Sequence, residues 1–134
     1  MNRQRSHGSE RGQATVEVAL ALPVLVLALL LVVQVALIAR AQILVVHAAR
    51  EAARATAVDG RPGAAERAAQ ATPGLRPARL AVSASARGDP GTTVRVTVRY
   101  VAPTDVPLVG AVLGDPELEA SVAMRVEGTG PNGP

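Results

Sequence analysis

The chain has 134 residues, enough for one small domain or for a membrane segment with a smaller domain attached. It has no cysteine, which excludes disulfides and thiolate metal sites, and Tyr100 is its only aromatic residue, which leaves little material for a soluble core. The net charge of +3 is modest and the arginines are scattered, without the clustered basic face or interleaved aromatics of nucleic-acid binders, so we expect no nucleic-acid partner.

An uncharged, largely apolar run from Val18 to Ala39 dominates the first third of the sequence. At about 1.5 Å rise per residue, ~22 helical residues cover roughly 33 Å, enough to cross the hydrocarbon core of a bilayer. We therefore predict a basic leader over residues 1–12 and a transmembrane helix over residues 13–39. Pro23 lies inside this helix and predicts a bend, because proline cannot donate the helical hydrogen bond.

The charges that flank the run barely distinguish the two possible orientations. Three arginines precede it and three follow it: Arg3, Arg5, Arg11, Arg40, Arg50 and Arg54. The count is close to a tie under the positive-inside rule. Because the part that looks folded is C-terminal and the N-terminal part is short, we expect a single-pass membrane protein with a cytoplasmic N-terminus and an extracytoplasmic C-terminal domain.

The helix is predicted to continue beyond the membrane as an amphipathic segment over residues 40–59, with Gly60 as its C-cap. At 100° per residue, the polar residues form one stripe: Arg40, His47, Arg50, Glu51 and Arg54. The opposite side is mostly alanine: Ala41, Leu44, Val45, Ala48, Ala49, Ala52, Ala53 and Thr56.

Four of these alanines have a spacing that permits close packing. Ala48 with Ala52, and Ala49 with Ala53, lie one helical turn apart and present small side chains on one face. Two interpretations stay open at this point. The face allows close approach of another helix or a sheet, or it covers the chain's own domain, and the two are compatible.

Residues 60–127 are predicted to form a small α+β domain. A short helix over 64–71 precedes two alternating runs, 80–87 and 93–100, which flank the turn 88–91 and predict a hairpin. The remaining predicted elements are a helical turn around 108–113, a third strand over 117–127, and a disordered tail over 128–134. A sheet of three strands with one apolar face needs a cover, and the alanine face of the long helix is the expected one.

The sequence has no motif for catalysis. It contains neither a nucleophile motif nor a phosphate-binding loop, so we expect no enzyme, no cofactor, no metal and no small-molecule substrate. His47 and Glu51 lie one helical turn apart, a spacing that metal ligands use. They share the polar stripe with Arg50 and Arg54, which favours a solvated charge network instead.

The stretch "RGQATVE" carries the resemblance to a known family. It places Gly12 directly before Gln13, and Glu17 is the fifth residue counted from Gln13. A basic leader, a glycine, this acid and a long apolar helix resemble the start of a type IV prepilin. Together with "ALALPVLVLALLLVVQ" and "HAAREAARATAV", they make residues 11–58 similar to the TadE-like family, small pilin-like proteins of the tight-adherence (Tad, or Flp) pilus system.

The resemblance implies a pilin-like fold and a function in assembly. It implies that a prepilin peptidase cleaves after Gly12 and that Glu17 pairs with the new α-ammonium of Gln13 on a neighbouring subunit. The small domain favours a minor pilin or pseudopilin over a major fibre subunit. The implied partners are the membrane, the prepilin peptidase, other pilins and the Tad pilus machinery.

Other interpretations remain at this stage. The chain could be an uncleaved single-pass anchor that carries a small envelope adaptor or binding domain. It could also be released by signal peptidase after Ala41, since residues 39–41 loosely resemble such a site. Glu17 could simply lie at the depth of the lipid headgroups, where the N-terminal end of the helix dipole favours an acid.

Overall fold

One unbroken helix, α1 (Gly8–Val58), contains both the apolar run and the amphipathic segment. The structure is a computed structural model that describes the backbone of residues 8–127 and the side chains of residues 12–127. Most of the predicted leader (residues 1–7) and the predicted tail (residues 128–134) lie outside the described residues. The prediction of a long N-terminal helix is confirmed.

The C-terminal end of α1 is stabilised by a residue from a distant part of the chain. Nη2 of Arg87 donates to the carbonyl oxygens of Ala57 (3.1 Å) and Glu127 (3.4 Å). Gly60 does not adopt the left-handed conformation of a C-cap glycine, so its predicted capping role is wrong. A Cβ at position 60 would lie 2.7 Å from Nη1 of Arg87, so glycine there leaves room for the arginine.

A three-stranded antiparallel sheet follows, in the order β1 (Leu80–Ala84), β2 (Thr93–Val101) and β3 (Glu117–Arg125). Tyr100 of β2 is paired with Leu80 and with Leu118, which fixes the register across all three strands. The predicted hairpin and third strand are confirmed. β1 is shorter than the alternating run that predicted it, because the chain beyond Ala84 turns towards the end of α1, where Arg87 binds.

The part of α1 from Arg40 to Val58 is called the outer half, and the part before Arg40 the inner half. The hydrophobic core lies between the sheet and the outer half. Val94, Val96, Val98 and Tyr100 alternate along β2 with exposed or half-buried residues, and all four are buried. They meet the alanine-rich face of α1, as expected for a sheet with one apolar face. The fold is therefore the predicted α+β arrangement of a long helix on a small antiparallel sheet.

Three short helical segments connect these elements. They are α2 (Ala64–Gln70), a 3₁₀ turn (Pro77–Arg79) and α3 (Gly110–Leu113). α2 packs against α1 and β1 and contributes Ala65 and Ala69 to the core. α3 lies in the connection between β2 and β3.

The sheet has a defined direction along α1. Val94, near the start of β2, packs with Ala57 at the outer end of the helix. Tyr100, near the end of β2, shares a surface cavity with Ala41 and Leu44, about four turns closer to the apolar run. β2 therefore runs back along α1, and the connection from β2 to β3 emerges at the end of the domain that faces the apolar run.

Candidate functional site

The residues expected at the processing site lie together near the start of α1. Gly12, Gln13 and Glu17 are exposed, and they line one shallow groove with Val16 and Leu20. Gln13 and Glu17 are separated by one helical turn, so both point from the same side of the helix. The groove is open to its surroundings.

Gly12 and Glu17 have unobstructed surroundings within this segment. Apart from its chain neighbours and the local helix backbone, a Cβ at position 12 would meet no described atom within 4 Å. Among the described side chains, no cation forms an ion pair with the carboxylate of Glu17. An acid at the head of an apolar helix is therefore available to a cation that the described part of the chain does not supply.

The next part of α1 presents apolar side chains in every direction. The large exposed residues here are Val18, Leu20, Leu22, Val24, Leu25, Val26, Leu27, Leu29, Leu31, Val32, Val33, Val35 and Leu37. The helix is long and apolar enough to cross a membrane, with a mean hydropathy of 2.9 over its most apolar window. Pro23 lies inside this segment, within continuous helix.

Gln34 is the exception on this surface. Its side chain is completely buried, although the residues on either side of it in the sequence are exposed. Within the described part of the chain, neither the amide nitrogen nor the amide oxygen has a hydrogen-bond partner. The sequence marks Gln34 only as a polar residue in an apolar run, and nothing in the local pattern signals its burial.

The outer half of α1 buries its small residues within the chain itself. Ala48, Ala49, Ala52 and Ala53 are fully buried in the core. The chain's own sheet therefore covers this face, as in the second interpretation. The four alanines lie far from the N-terminal groove, since more than 30 helical residues, or about 50 Å, separate them from Gly12.

The polar stripe of the outer half is open to solvent. His47, Arg50, Glu51 and Arg54 are all exposed. Within the described residues, no group of three or more histidine or acidic side chains is arranged to hold a metal ion. The four side chains form an exposed charged face on this side of the helix.

A polar cluster at the base of the β2–β3 connection was not foreseen from the sequence. Nη1 of Arg79 donates to Oδ2 of Asp115 at 2.6 Å, and the backbone N–H of Thr104 donates to Oδ1 at 2.9 Å. The hydrogen bond from Arg79, followed by that from Thr104, lowers the pKa of Asp115 below its ordinary value. These partners are distant in sequence, so no spacing rule could reveal them.

The N-terminal groove and the apolar helix fall within one match to a known protein family. The model of the TadE-like protein family matches residues 12–54. The predicted resemblance is confirmed over this segment, which begins at Gly12 and ends on the exposed stripe at Arg54. The match associates the chain with the Tad pilus system.

The TadE-like segment covers less than half of the chain and stops before α1 ends. The sheet and its connections lie outside it. No curated protein and no solved structure matches the chain. The TadE-like assignment therefore concerns α1, and the sheet domain has to be interpreted from its own physics.

Proposed function

We propose that the protein is a minor pilin or pseudopilin that takes part in assembling or anchoring a Tad-type pilus, and that a prepilin peptidase processes it after Gly12. The observation that carries this proposal is the match of the TadE-like family model to α1. The match starts at Gly12, and Glu17 is the fifth residue after that glycine. The N-terminus is then cytoplasmic, and the sheet domain lies outside the membrane.

Cleavage between Gly12 and Gln13 requires the start of α1 to open locally. Both residues lie within the first two turns of the helix, which starts at Gly8. Helix ends fray more easily than helix interiors, and glycine lowers the helical stability of its position by about 1 kcal/mol relative to alanine. The exposed surroundings of Gly12 leave room for a peptidase.

Glu17 then serves in assembly. Cleavage creates an α-ammonium at Gln13, and an ion pair between this group and Glu17 of a neighbour would offset the cost of a carboxylate near lipid. Glu17 is exposed and has no ion-pair partner among the described side chains. Cyclisation of an N-terminal Gln13 would remove the ammonium and abolish this pairing.

The direct test is the N-terminal residue of the protein isolated from its native membranes, measured by intact mass and peptide mapping. A chain that begins at Gln13, or at its cyclised form, supports processing. A chain that retains residues 1–12 contradicts the proposal and favours an uncleaved anchor with an adaptor domain. A chain that begins at Gln42 would instead indicate release by signal peptidase.

A pair of glycine variants tests the position of cleavage. Gly12→Leu should block processing, because a bulky side chain replaces the residue next to the scissile bond. Gly8→Leu changes another glycine of the same helical end and should leave processing intact. Equal processing of both variants would contradict cleavage after Gly12.

A second pair of variants tests the role of the acid. Glu17→Gln keeps the shape of the side chain, so cleavage should continue while incorporation with other pilins falls about tenfold, equivalent to roughly 1.4 kcal/mol. Glu51→Gln removes an exposed acid from the outer half and should have no effect. Co-purification with the other pilins measures both, and normal incorporation of Glu17→Gln would rule out the pairing.

A further inference from the structure

The connection between β2 and β3 exposes an unusual concentration of apolar side chains. Outside α1, the exposed large hydrophobic residues of the described chain are Val101, Leu108, Val112 and Leu113. Three of these four lie within one six-residue stretch. We call residues 106–114 (VPLVGAVLG) the apolar loop; it contains no charged residue and includes α3.

The apolar loop lies at the end of the domain nearest the apolar run of α1. The residues that lead into it, Pro103 and Asp105, line a cavity together with Leu37 and Ile38 of the helix. Leu37 and Ile38 precede Arg40, the first charged residue after the apolar run. The loop therefore starts level with the part of α1 that passes from lipid to water.

The base of the apolar loop is closed by hydrogen bonds. The backbone N–H of Ala102 donates to the carbonyl of Pro116 at 2.9 Å, and the hydroxyl of Thr104 donates to the carbonyl of Gly114. A Cβ on Gly110 would collide with the carbonyl oxygen of Thr104, so the chain folds back tightly on itself. The loop therefore has a fixed base; Val106 and Val109 are buried, while Leu108, Val112 and Leu113 are exposed.

The charged residues next to the apolar loop lie at its base. Asp105 and Asp115 flank the apolar loop, and each is paired with an arginine from the segment before β1: Arg76 at 3.2 Å and Arg79 at 2.6 Å. A polar base beneath an apolar tip is the pattern of a segment that enters a membrane interface, because the charges stay in water while the tip leaves it.

The tip is also held in an unfavourable backbone conformation. Leu108 has φ of 68°, the left-handed region that non-glycine residues rarely adopt, and its side chain is 66% exposed. Val112 is 84% exposed. Fold stability alone gives no reason to hold a leucine in this conformation with its side chain in water, and such strain is characteristic of functional segments.

We propose that the apolar loop inserts into the outer leaflet of the membrane beside α1 and gives the sheet domain a second attachment to the lipid. The proposal goes beyond the pilin function and applies equally to an uncleaved anchor, but it requires α1 to span the membrane. The bilayer is the favoured partner because the loop continues the apolar surface of the membrane-capable part of α1. Burial of Leu108, Val112 and Leu113 in lipid removes their apolar surface from water.

The test uses the full chain, which contains no natural cysteine, in vesicles of phosphatidylethanolamine and phosphatidylglycerol. Single variants Val112→Cys, Leu27→Cys and Ser121→Cys carry an environment-sensitive fluorophore. Lipids with nitroxide groups on their acyl chains quench a probe in the bilayer, and aqueous iodide quenches a probe in water. Leu27 is the control within α1, and Ser121 is the control on the outer face of the sheet.

The expected result is strong lipid quenching at positions 112 and 27, with iodide quenching only at position 121. Iodide quenching at 112 equal to that at 121 would overturn the proposal. A probe at 112 shielded from both quenchers would also overturn it, since a second protein copy would then cover the loop. Absence of lipid quenching at 27 would remove the membrane span on which the proposal depends.

A charge variant tests whether the fluorophore, instead of the loop, causes the lipid quenching at position 112. Leu108→Asp combined with Leu113→Asp, in the Val112→Cys chain, should abolish lipid quenching at 112, because two carboxylates oppose insertion. The near-ultraviolet circular dichroism of Tyr100 reports whether the core remains folded. Persistent lipid quenching with an unchanged Tyr100 signal would contradict insertion of the loop.

Discussion

The two halves of α1 form one continuous helix but differ in composition and in what surrounds them. The inner half carries leucine and valine on all sides, and they remain exposed within the chain. The outer half carries alanine on one side, buried against the sheet, and charges on the other. The comparison shows that side-chain size and distribution decide what one continuous helix packs against: lipid can surround large side chains, whereas a sheet needs small ones at close approach.

The largest expected effect comes from placing a charge in the inner half. Leu27→Arg puts a guanidinium near the centre of the apolar run, which costs about 2.5–3.5 kcal/mol for membrane insertion. Alkaline extraction of membranes should release more of this variant than of the unmodified chain. Ile43→Arg, beyond Arg40 and 69% exposed, should stay membrane-bound. Equal extraction of both variants would show that the two halves tolerate an introduced arginine equally well.

A bulky residue in the outer half should have the next largest effect. Ala49 is fully buried in the core, so Ala49→Leu should lower the free energy of unfolding by about 1–3 kcal/mol through overpacking. Ala36→Leu makes the same change on the exposed inner half and should have little effect. The thermal transition of the Tyr100 near-ultraviolet signal in detergent measures both. Similar shifts would contradict the close contact of helix and sheet.

Gln34 is the buried polar residue in the otherwise largely exposed and apolar inner half, and its replacement tests the cost of burying its amide. A buried amide without partners costs about 1–3 kcal/mol, so Gln34→Leu should raise the thermal midpoint. Gln42→Leu is the matched control: the amide of Gln42 donates to the carbonyl of Glu119 at 3.2 Å, and its loss should lower the midpoint slightly. A lower midpoint for Gln34→Leu would show that its amide has a partner in the membrane protein.

The smallest expected effect concerns pH and the base of the apolar loop. The pKa of Asp115 is lowered in the folded chain, so its ion pair with Arg79 stabilises the fold above the ordinary carboxyl pKa, near pH 4. This contribution is lost as the pH falls through the lowered value. Asp115→Asn should therefore lower the thermal midpoint at neutral pH and reduce its fall below pH 4. An identical pH profile for both chains would contradict the contribution.

The parts of the fold that could be predicted from sequence are those with a regular local period. The alternation of Val94, Val96 and Val98 predicts both the strand and its buried face, and the absence of a turn signal after Arg40 predicts the unbroken helix. Each of these patterns involves only residues that are close together in the sequence. Processing after Gly12 and the pairing of Glu17 stay predictions, which the resemblance to the TadE-like family implies.

The parts that escaped prediction depend on contacts between distant residues. Arg87 replaces Gly60 in completing the end of α1, because the sheet brings an arginine from about 30 residues away to that end. The contacts of Asp115 with Arg79 and Thr104 likewise join separate segments of the chain, and the burial of Gln34 has no signal in the local pattern. No local period encodes such contacts.

The continuity of α1 has a mechanical consequence. No break separates the part of the helix suited to lipid from the part that forms the core, so in a bilayer the membrane segment and the sheet domain would tilt together. From Arg40 to Val58 the helix rises about 27 Å, and a tilt of roughly 20°, common for membrane helices, moves its far end sideways by about 9 Å. Any force that tilts the membrane segment is therefore transmitted directly to the orientation of the sheet.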